Sequence, residues 1–175
     1  AFRPLPSDEV AEFRRRMGLP SRFVLFVGTL EPRKNLVRLV QAFARIRDER
    51  VGLILVGGKG WFYEELFARI EALDLQGRVV CAGYVDNETL PLWYNAATLL
   101  AYPSLYEGFG LPVLEAQACG TPVLTSNVSS LPEAAGDAAV MVPPDDVEAL
   151  TAALERLLSD EALRGELRER GLRHA

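Results

Sequence analysis

The sequence predicts an α/β fold: a doubly wound, mainly parallel six-stranded sheet with helices on both faces. Two observations carry this. Short runs rich in Val, Leu, Ile and Phe alternate along the chain with segments whose apolar residues recur at helical spacing. Alternation of that kind builds strand–helix–strand crossovers. The runs are also apolar throughout rather than at every second residue, so each strand is covered on both faces, as in a parallel sheet. Chirality makes the crossovers right-handed.

The first 20 residues read as a lead-in, with the linker Arg3-Pro4-Leu5-Pro6 followed by a short helix to Met17 capped by Ser7-Asp8-Glu9. Residues 21–175 form the domain. Arg22 to Gly28 (RFVLFVG) is the first strand, and Leu36, Leu39, Val40, Phe43 and Ile46 mark the helix after it. Val51 to Gly57 is a second strand, followed by a helix on Leu66, Ile70 and Leu73. Arg78 to Gly83 is a third strand. Asn87 to Ala97 holds a short helix with Leu90, Trp93 and Tyr94 as its apolar face. Thr98 to Tyr102 is a fourth strand, Pro112 to Cys119 a helix, Thr121 to Thr125 a fifth strand and Ala138 to Val142 a sixth. Leu150, Leu154, Leu157 and Leu158 mark a late helix, and Leu163 and Leu167 a more polar last one.

Composition narrows the function. The chain has 175 residues, 49% of them hydrophobic, enough for one domain with a real core. Nineteen basic against twenty-four acidic side chains leave a net charge of −5, which speaks against nucleic acid as a partner. The apolar runs are short and broken by Gly, Pro or charge, so no segment spans a membrane. Cys81 and Cys119 lack disulfide or zinc spacing and read as buried thiols of a reducing, cytoplasmic compartment. His174 is the sole histidine, which excludes a Ser-His-Asp triad and a His-ligated metal. Neither a metal nor a cofactor is expected.

In a doubly wound sheet, ligands bind where the loops gather at the carboxyl ends of the strands. Those loops run over Gly28 to Asn35, Gly57 to Trp61, Gly83 to Glu88, Pro103 to Leu111 and Ser126 to Glu133. The richest is Pro103 to Leu111, which leads into a helix with Pro112 at its start. Its glycines leave backbone N–H groups pointing outward at a helix N-terminus. That is an anion site, most simply for phosphate, or else a plain tight turn. Glu115 lies in the first two turns of an otherwise apolar helix, where a carboxylate either faces a cleft and accepts from a ribose diol or complements the helix dipole. Glu107 stands eight residues earlier and reaches the same cleft. Arg33 and Lys34 lie near a helix start, unfavourable for cations unless an anion sits between them. The plain alternative is a solvated pair with Glu31. The loop Gly57-Gly58-Lys59-Gly60-Trp61 fits no Walker A pattern, and no G-x-G-x-x-G occurs in the chain. At least two of Trp61, Phe62 and Tyr63 are expected to pack beneath that loop.

As a set, these residues resemble the C-terminal half of a retaining glycosyltransferase of family 4 with the two-domain GT-B fold. The resemblance runs from Phe2 onward and is strongest at Glu107-Gly108-Phe109-Gly110-Leu111-Pro112-Val113-Leu114-Glu115, a Glu-x7-Glu motif. Gly28-Thr29-Leu30-Glu31-Pro32-Arg33-Lys34-Asn35, Gly120-Thr121-Pro122-Val123 and Leu131-Pro132-Glu133 support it. The resemblance implies a Rossmann-like domain that binds a nucleoside diphosphate sugar. Glu115 would hold the ribose, Glu107 would lie by the sugar ring, and the amides of Gly108, Phe109, Gly110 and Leu111 would hold sugar and diphosphate. Lys34 and Arg33 would neutralise the leaving diphosphate. Gly28 would line the site, and Tyr84 and Val85 would lie against the base. Many members carry Arg where Thr29 stands. The Thr-Leu-Glu-Pro-Arg-Lys-Asn variant resembles the mannosyltransferase-like branch, which implies GDP-mannose as donor and gives that charge to Arg33. The acceptor would bind an N-terminal domain that this chain lacks, and the fragment alone would transfer nothing. The intact enzyme would be cytoplasmic, meeting the inner membrane surface through the missing domain. The rival readings are a sugar epimerase or phosphorylase-like enzyme on the same fold, and a non-catalytic nucleotide-binding or interaction module.

Overall fold

The computed structural model describes residues 1–175. A helix α1 (Ser7–Met17) leads into β1 (Arg22–Val27), a 3-10 turn (Pro32–Lys34), α2 (Leu36–Phe43), β2 (Val51–Val56), α3 (Glu64–Ala72), β3 (Val79–Gly83) and α4 (Leu90–Ala96). There follow β4 (Leu99–Tyr102), α5 (Leu111–Ala118), β5 (Val123–Ser126), α6 (Leu131–Ala135), β6 (Ala139–Val142), α7 (Val147–Ser159) and α8 (Glu161–His174). All neighbouring strands run parallel, in the order β3-β2-β1-β4-β5-β6. The predicted doubly wound sheet is therefore present, and its order reverses between β1 and β4.

The core follows from the apolar strands. Every residue of β2 and five of the six in β1 are buried. Full burial of a Leu, Val or Phe side chain is worth about 1.5–3 kcal/mol, so these two central strands anchor the sheet. β1 and β2 stay in register over their whole length, from Arg22↔Val51 to Val27↔Val56. β1 and β4 pair only at Val24↔Leu99 and Leu25↔Leu100. Past that point the paired ladder ends, short of the carboxyl ends of both strands, at the switch point where ligands bind in such sheets. α1 joins the same core, with the buried Phe13 ring edge-on to Trp93 at 5.2 Å.

Several local readings change. Ser7 opens α1 but does not cap it: Pro6 holds the cap position, and no side chain bonds the free amides there. Leu111 takes the first position of α5 and Pro112 the second, where a missing N–H is equally harmless. The helix α6 falls where a loop was expected, because five residues are too few to display a helical period. Cys119 is buried, and burial pushes its thiol up to about 11. Cys81 is exposed, contrary to expectation, because β3 is the edge strand and turns it outward.

The opposite end of the sheet, where helices finish, is lined by arginines that bond backbone carbonyls. Arg14 donates to the oxygens of Pro20, Ser21 and Ala96, and Arg22 to that of Leu158. Arg78 donates to Asp48 O at 3.0 Å, Arg164 to Leu157 O at 2.7 Å and Arg168 to Gly120 O at 3.1 Å. Carbonyls left over at helix C-termini carry partial negative charge, and cations satisfy it.

Glycine is required where the loops after β1 and β2 touch. A Cβ on Gly57, at φ +147°, would lie 1.8 Å from the Gly28 carbonyl oxygen, whereas one on Gly58 would meet nothing. Gly57→Ala is expected to lower stability by about 3 kcal/mol or more, and Gly58→Ala to stay within about 0.5 kcal/mol. Urea unfolding of the two variants checks this, and equal stability would refute the close approach.

Candidate functional site

The crevice between β1 and β4 is bounded by the two loops that leave those strands. Gly28 donates its N–H to Val56 O at 2.9 Å, and Leu30 forms an isolated bridge with Lys59. The chain then makes the 3-10 turn and enters α2 through Asn35, whose φ of 64° suits Asn better than most residues. Buried Asn35 donates from Nδ2 to Pro103 O at 2.9 Å and to Pro144 O at 2.6 Å. The Leu105 N–H donates to Arg33 O at 2.8 Å. These bonds hold the β1 loop against the β4 loop.

The charged side chains meet at that junction. Lys34 Nζ lies 2.7 Å from Glu107 Oε2 and donates to the Tyr102 hydroxyl at 2.9 Å. Arg33 reaches the same carboxylate oxygen at 2.9 Å and also pairs with Glu31. The Lys34 and Glu107 side chains are 7% and 9% exposed, so this pair is nearly out of water. In this structure the anion between the two cations is the Glu107 carboxylate, and Arg33 pairs with Glu31 as well. Burial pushes the Glu107 carboxyl up, but the Lys34 ammonium, together with the Tyr102 and Ser104 hydroxyls, holds it below the usual carboxylate range. Burial, with the Glu107 charge beside it, drives the Tyr102 hydroxyl far up, so it stays protonated.

Beyond Glu107 the chain makes its glycine turn. Gly110, at φ 72°, caps α5, and a Cβ there would lie 2.9 Å from Leu131 Cδ2. The amides of Gly108, Phe109, Gly110 and Leu111 donate no hydrogen bond within the protein. They are free donors at the positive end of a helix, the arrangement that attracts anions. The backbone of Glu107 is fixed by α6 and the turn before it. Its carbonyl accepts from Ser129 Oγ at 2.8 Å and Ser130 Oγ at 2.7 Å, and its N–H donates to Ser129 Oγ at 3.1 Å. Neither serine stood out as a single residue in the sequence. A cavity of about 300 Å³ beside the turn is lined by Gly108, Phe109, Leu114, Ser130, Glu133 and His174, among others.

Glu115 lies half-buried in α5 and accepts from the Tyr94 hydroxyl at 2.7 Å. Burial pushes the Glu115 carboxyl up, and the bond from Tyr94 offsets only part of that. Tyr94 reads from its spacing as part of an apolar helix face. It is fully buried as expected, but its hydroxyl serves this carboxylate. Glu107 and Glu115 share no partner: one is paired with two cations at Oε2, and the other accepts from a single neutral donor. Past β3, Tyr84 is exposed while Val85 packs on the core. Gly57 donates to Gly83 O at 2.8 Å, chaining the loops after β2 and β3.

One expectation fails here. Of the aromatic trio after β2, only Tyr63 packs, edge-on to Phe67 at 5.6 Å. Trp61 and Phe62 are each 77% exposed, and Phe62 sits at φ 57°. The turn that presses Gly57 and Gly60 onto the β1 loop turns these two rings outward. Tyr84, Tyr106, Phe109 and Leu111 are exposed too, so an apolar rim of separate side chains follows the loops at the carboxyl ends of β2, β3 and β4. No three His, Cys, Asp or Glu side chains gather as metal ligands.

Comparison with known proteins adds independent findings. The family model described as "Glycosyl transferases group 1" matches residues 9–174. O-antigen chain mannosyltransferase B of Escherichia coli is 45% identical over 156 residues, which cover 87% of this chain and 41% of that protein. The chain thus spans less than half of the length of such relatives. Sucrose-phosphate synthase from Thermosynechococcus elongatus superposes with a TM-score of 0.86 at 35% identity, covering 99% of this chain and 44% of that one. Anabaena HepE, solved in complex with UDP-glucose, superposes at 0.89 with 23% identity over 98% of this chain and 49% of its own, a likeness of fold. With the match running through both walls of the crevice, from α1 to the end of α8, the chain belongs to the group 1 glycosyl transferases.

Proposed function

We propose that this chain is the donor-binding half of a retaining glycosyltransferase of the family 4 type. It would take a nucleoside diphosphate sugar, with mannose from GDP-mannose as the transferred hexose. The observation that carries the reading is the juxtaposition at the β1–β4 crevice: two cations, a carboxylate and four unbonded amides at a helix N-terminus. The mannose assignment leans on the mannosyltransferase relatives, and the nucleotide sugar on the HepE complex with UDP-glucose.

In this reading the diphosphate lies across the free amides of Gly108 to Leu111, within reach of Lys34 and Arg33. As the glycosidic bond to the sugar breaks, negative charge grows on the departing phosphate oxygen. Fixed cations aimed at developing charge in a desolvated site are among the largest catalytic contributions. We assign that task to Lys34 and Arg33. Glu107 lies by the sugar, Glu115 accepts from the ribose hydroxyls, and Tyr84 and Val85 flank the base near Gly28. In the structure Glu107 neutralises the two cations, so in this reading a diphosphate competes with it. The apolar rim supports a second domain facing this edge, where the acceptor would bind. No helix is long and apolar enough to cross a membrane. We place the reaction in the cytoplasm, where such donors are met.

A thermal-shift panel with GDP, UDP, ADP and NAD tests the reading. A ligand at 100 times its dissociation constant adds about 2.7 kcal/mol, roughly 5–10 °C for a chain of this size. GDP is expected to give that shift, and Glu115→Ala and Lys34→Ala to lose it. A shift with UDP or ADP instead would retain the enzyme class and reject GDP-mannose. A shift with NAD would reject the class. Nucleotide affinity unchanged in both variants would reject the site.

The ion pair has a stability signature of its own. Lys34→Met leaves Glu107 buried with only the exposed Arg33, and is expected to cost about 3 kcal/mol, whereas adding Glu107→Leu should restore most of it. Because the folded Glu107 carboxyl lies below its unfolded value near 4.3, its contribution is whole above that pH. It is lost as pH falls through the lower, folded value. The gap between wild type and Lys34→Met should therefore close on acidification, as urea unfolding across pH would reveal. A gap independent of pH would show that the carboxylate is not the partner.

A further inference from the structure

We propose that Tyr94 is the positioning residue of the nucleotide site, fixing the Glu115 carboxylate so that the site prefers a ribose over a deoxyribose diphosphate. This rests on the reading of Glu115 as the ribose acceptor. The Tyr94 ring is completely buried on α4, with the Phe2 ring edge-on to it at 5.8 Å. Its backbone is held as well, since the Tyr94 carbonyl accepts from Thr121 Oγ1 at 2.7 Å. A side chain fixed on both sides has one place to put its hydroxyl, and that place is Glu115 Oε2, 2.7 Å away.

The Glu115 carboxylate has no other hydrogen-bond partner in the protein. A carboxylate offers about four lone-pair sites on two oxygens. Tyr94 occupies one, on Oε2, and stops the long side chain from rotating. Oε1 and the second lone pair of Oε2 remain, the two acceptors that a vicinal diol requires. The type of partner matters too. A Lys or Arg here would neutralise the carboxylate and fill more of its lone pairs, as happens at Glu107. A neutral tyrosine orients the charge without consuming it. Burial drives the Tyr94 hydroxyl well above its ordinary value, so it stays a donor across the working range of pH.

The test is calorimetric titration of this chain with GDP, its 2′,3′-dideoxy analogue and inorganic pyrophosphate, comparing wild type, Tyr94→Phe and Glu115→Gln. If the stability panel selects UDP, the uridine pair replaces the guanosine pair. Tyr94→Phe keeps the ring and removes only the oxygen. It is expected to weaken the ribose nucleotide about tenfold while leaving the dideoxy analogue and pyrophosphate unchanged, so the ribose preference collapses. Glu115→Gln should collapse it likewise. Tyr94→Phe with an intact preference beside a collapsed Glu115→Gln would overturn the proposal and spare the Glu115 reading. An intact preference in both variants, or no binding by wild type, would overturn both. Equal weakening of all three ligands by Tyr94→Phe would reduce Tyr94 to a packing residue and also overturn the proposal.

Discussion

The short pairing between β1 and β4 is the constraint on which the site depends. Two strands that lie side by side for only two register pairs cannot hold their own loops together. Beyond Leu25 and Leu100 the backbone ladder ends and polar chemistry takes over: Leu105 to Arg33, Asn35 to Pro103, and Lys34 to Glu107. The strand order reverses at the same place, the usual location of a ligand crevice in doubly wound sheets. The ion pair is an expensive way to join two loops. Desolvating two charges roughly cancels their attraction, and an apolar pair of similar shape would serve stability as well or better. That balance makes a role in chemistry the better account of Lys34 and Glu107.

The two glutamates of the Glu-x7-Glu motif are chemically divided by their surroundings. Both feel burial, which favours the neutral acid. At Glu107 the adjacent ammonium, with the Tyr102 and Ser104 hydroxyls, reverses that and holds the carboxyl below its usual range. At Glu115 a single neutral hydroxyl reverses it only partly, and the carboxyl stays above its ordinary value. Groups of one kind pushed in opposite directions commonly mark a division of labour. Here the division is between a carboxylate that balances charge and one whose remaining lone pairs stay available to neutral hydroxyls.

The sheet was legible because its interior strands are buried on both faces, so runs such as RFVLFV and VGLILV have no polar interruptions to confuse them. The candidate residues were legible as local oddities: cations at a helix start, a carboxylate in an apolar helix, glycines before a proline. Their partnerships were not. Lys34 and Glu107 stand 73 residues apart, and Tyr94 and Glu115 stand 21 apart on different helices. No local pattern encodes which loop folds onto which. Trp61 and Phe62 misled because aromatic rings are normally interior, whereas this turn spends its buried volume on the contact between Gly57 and Gly28. Cys81 misled because nothing within β3 announces that it is an edge strand.

The two ends of the sheet use backbone charge in opposite ways, and this explains how an acidic chain can offer an anion site. At the amino end of the strands, arginines donate to backbone carbonyls of loops and helix ends. At the carboxyl end the arrangement is inverted: the amides of Gly108 to Leu111 are unbonded, and two cations point into the same crevice. The net charge of −5 gives no long-range attraction for a diphosphate. Capture must then come from the local field, where low exposure makes each charge count for more than it would in water. In the structure the Glu107 carboxylate already balances both cations. In the proposed reading, a ligand overcomes that balance by bringing more than charge: a ribose for Glu115 and a base for the rim, as well as phosphates for Lys34 and Arg33.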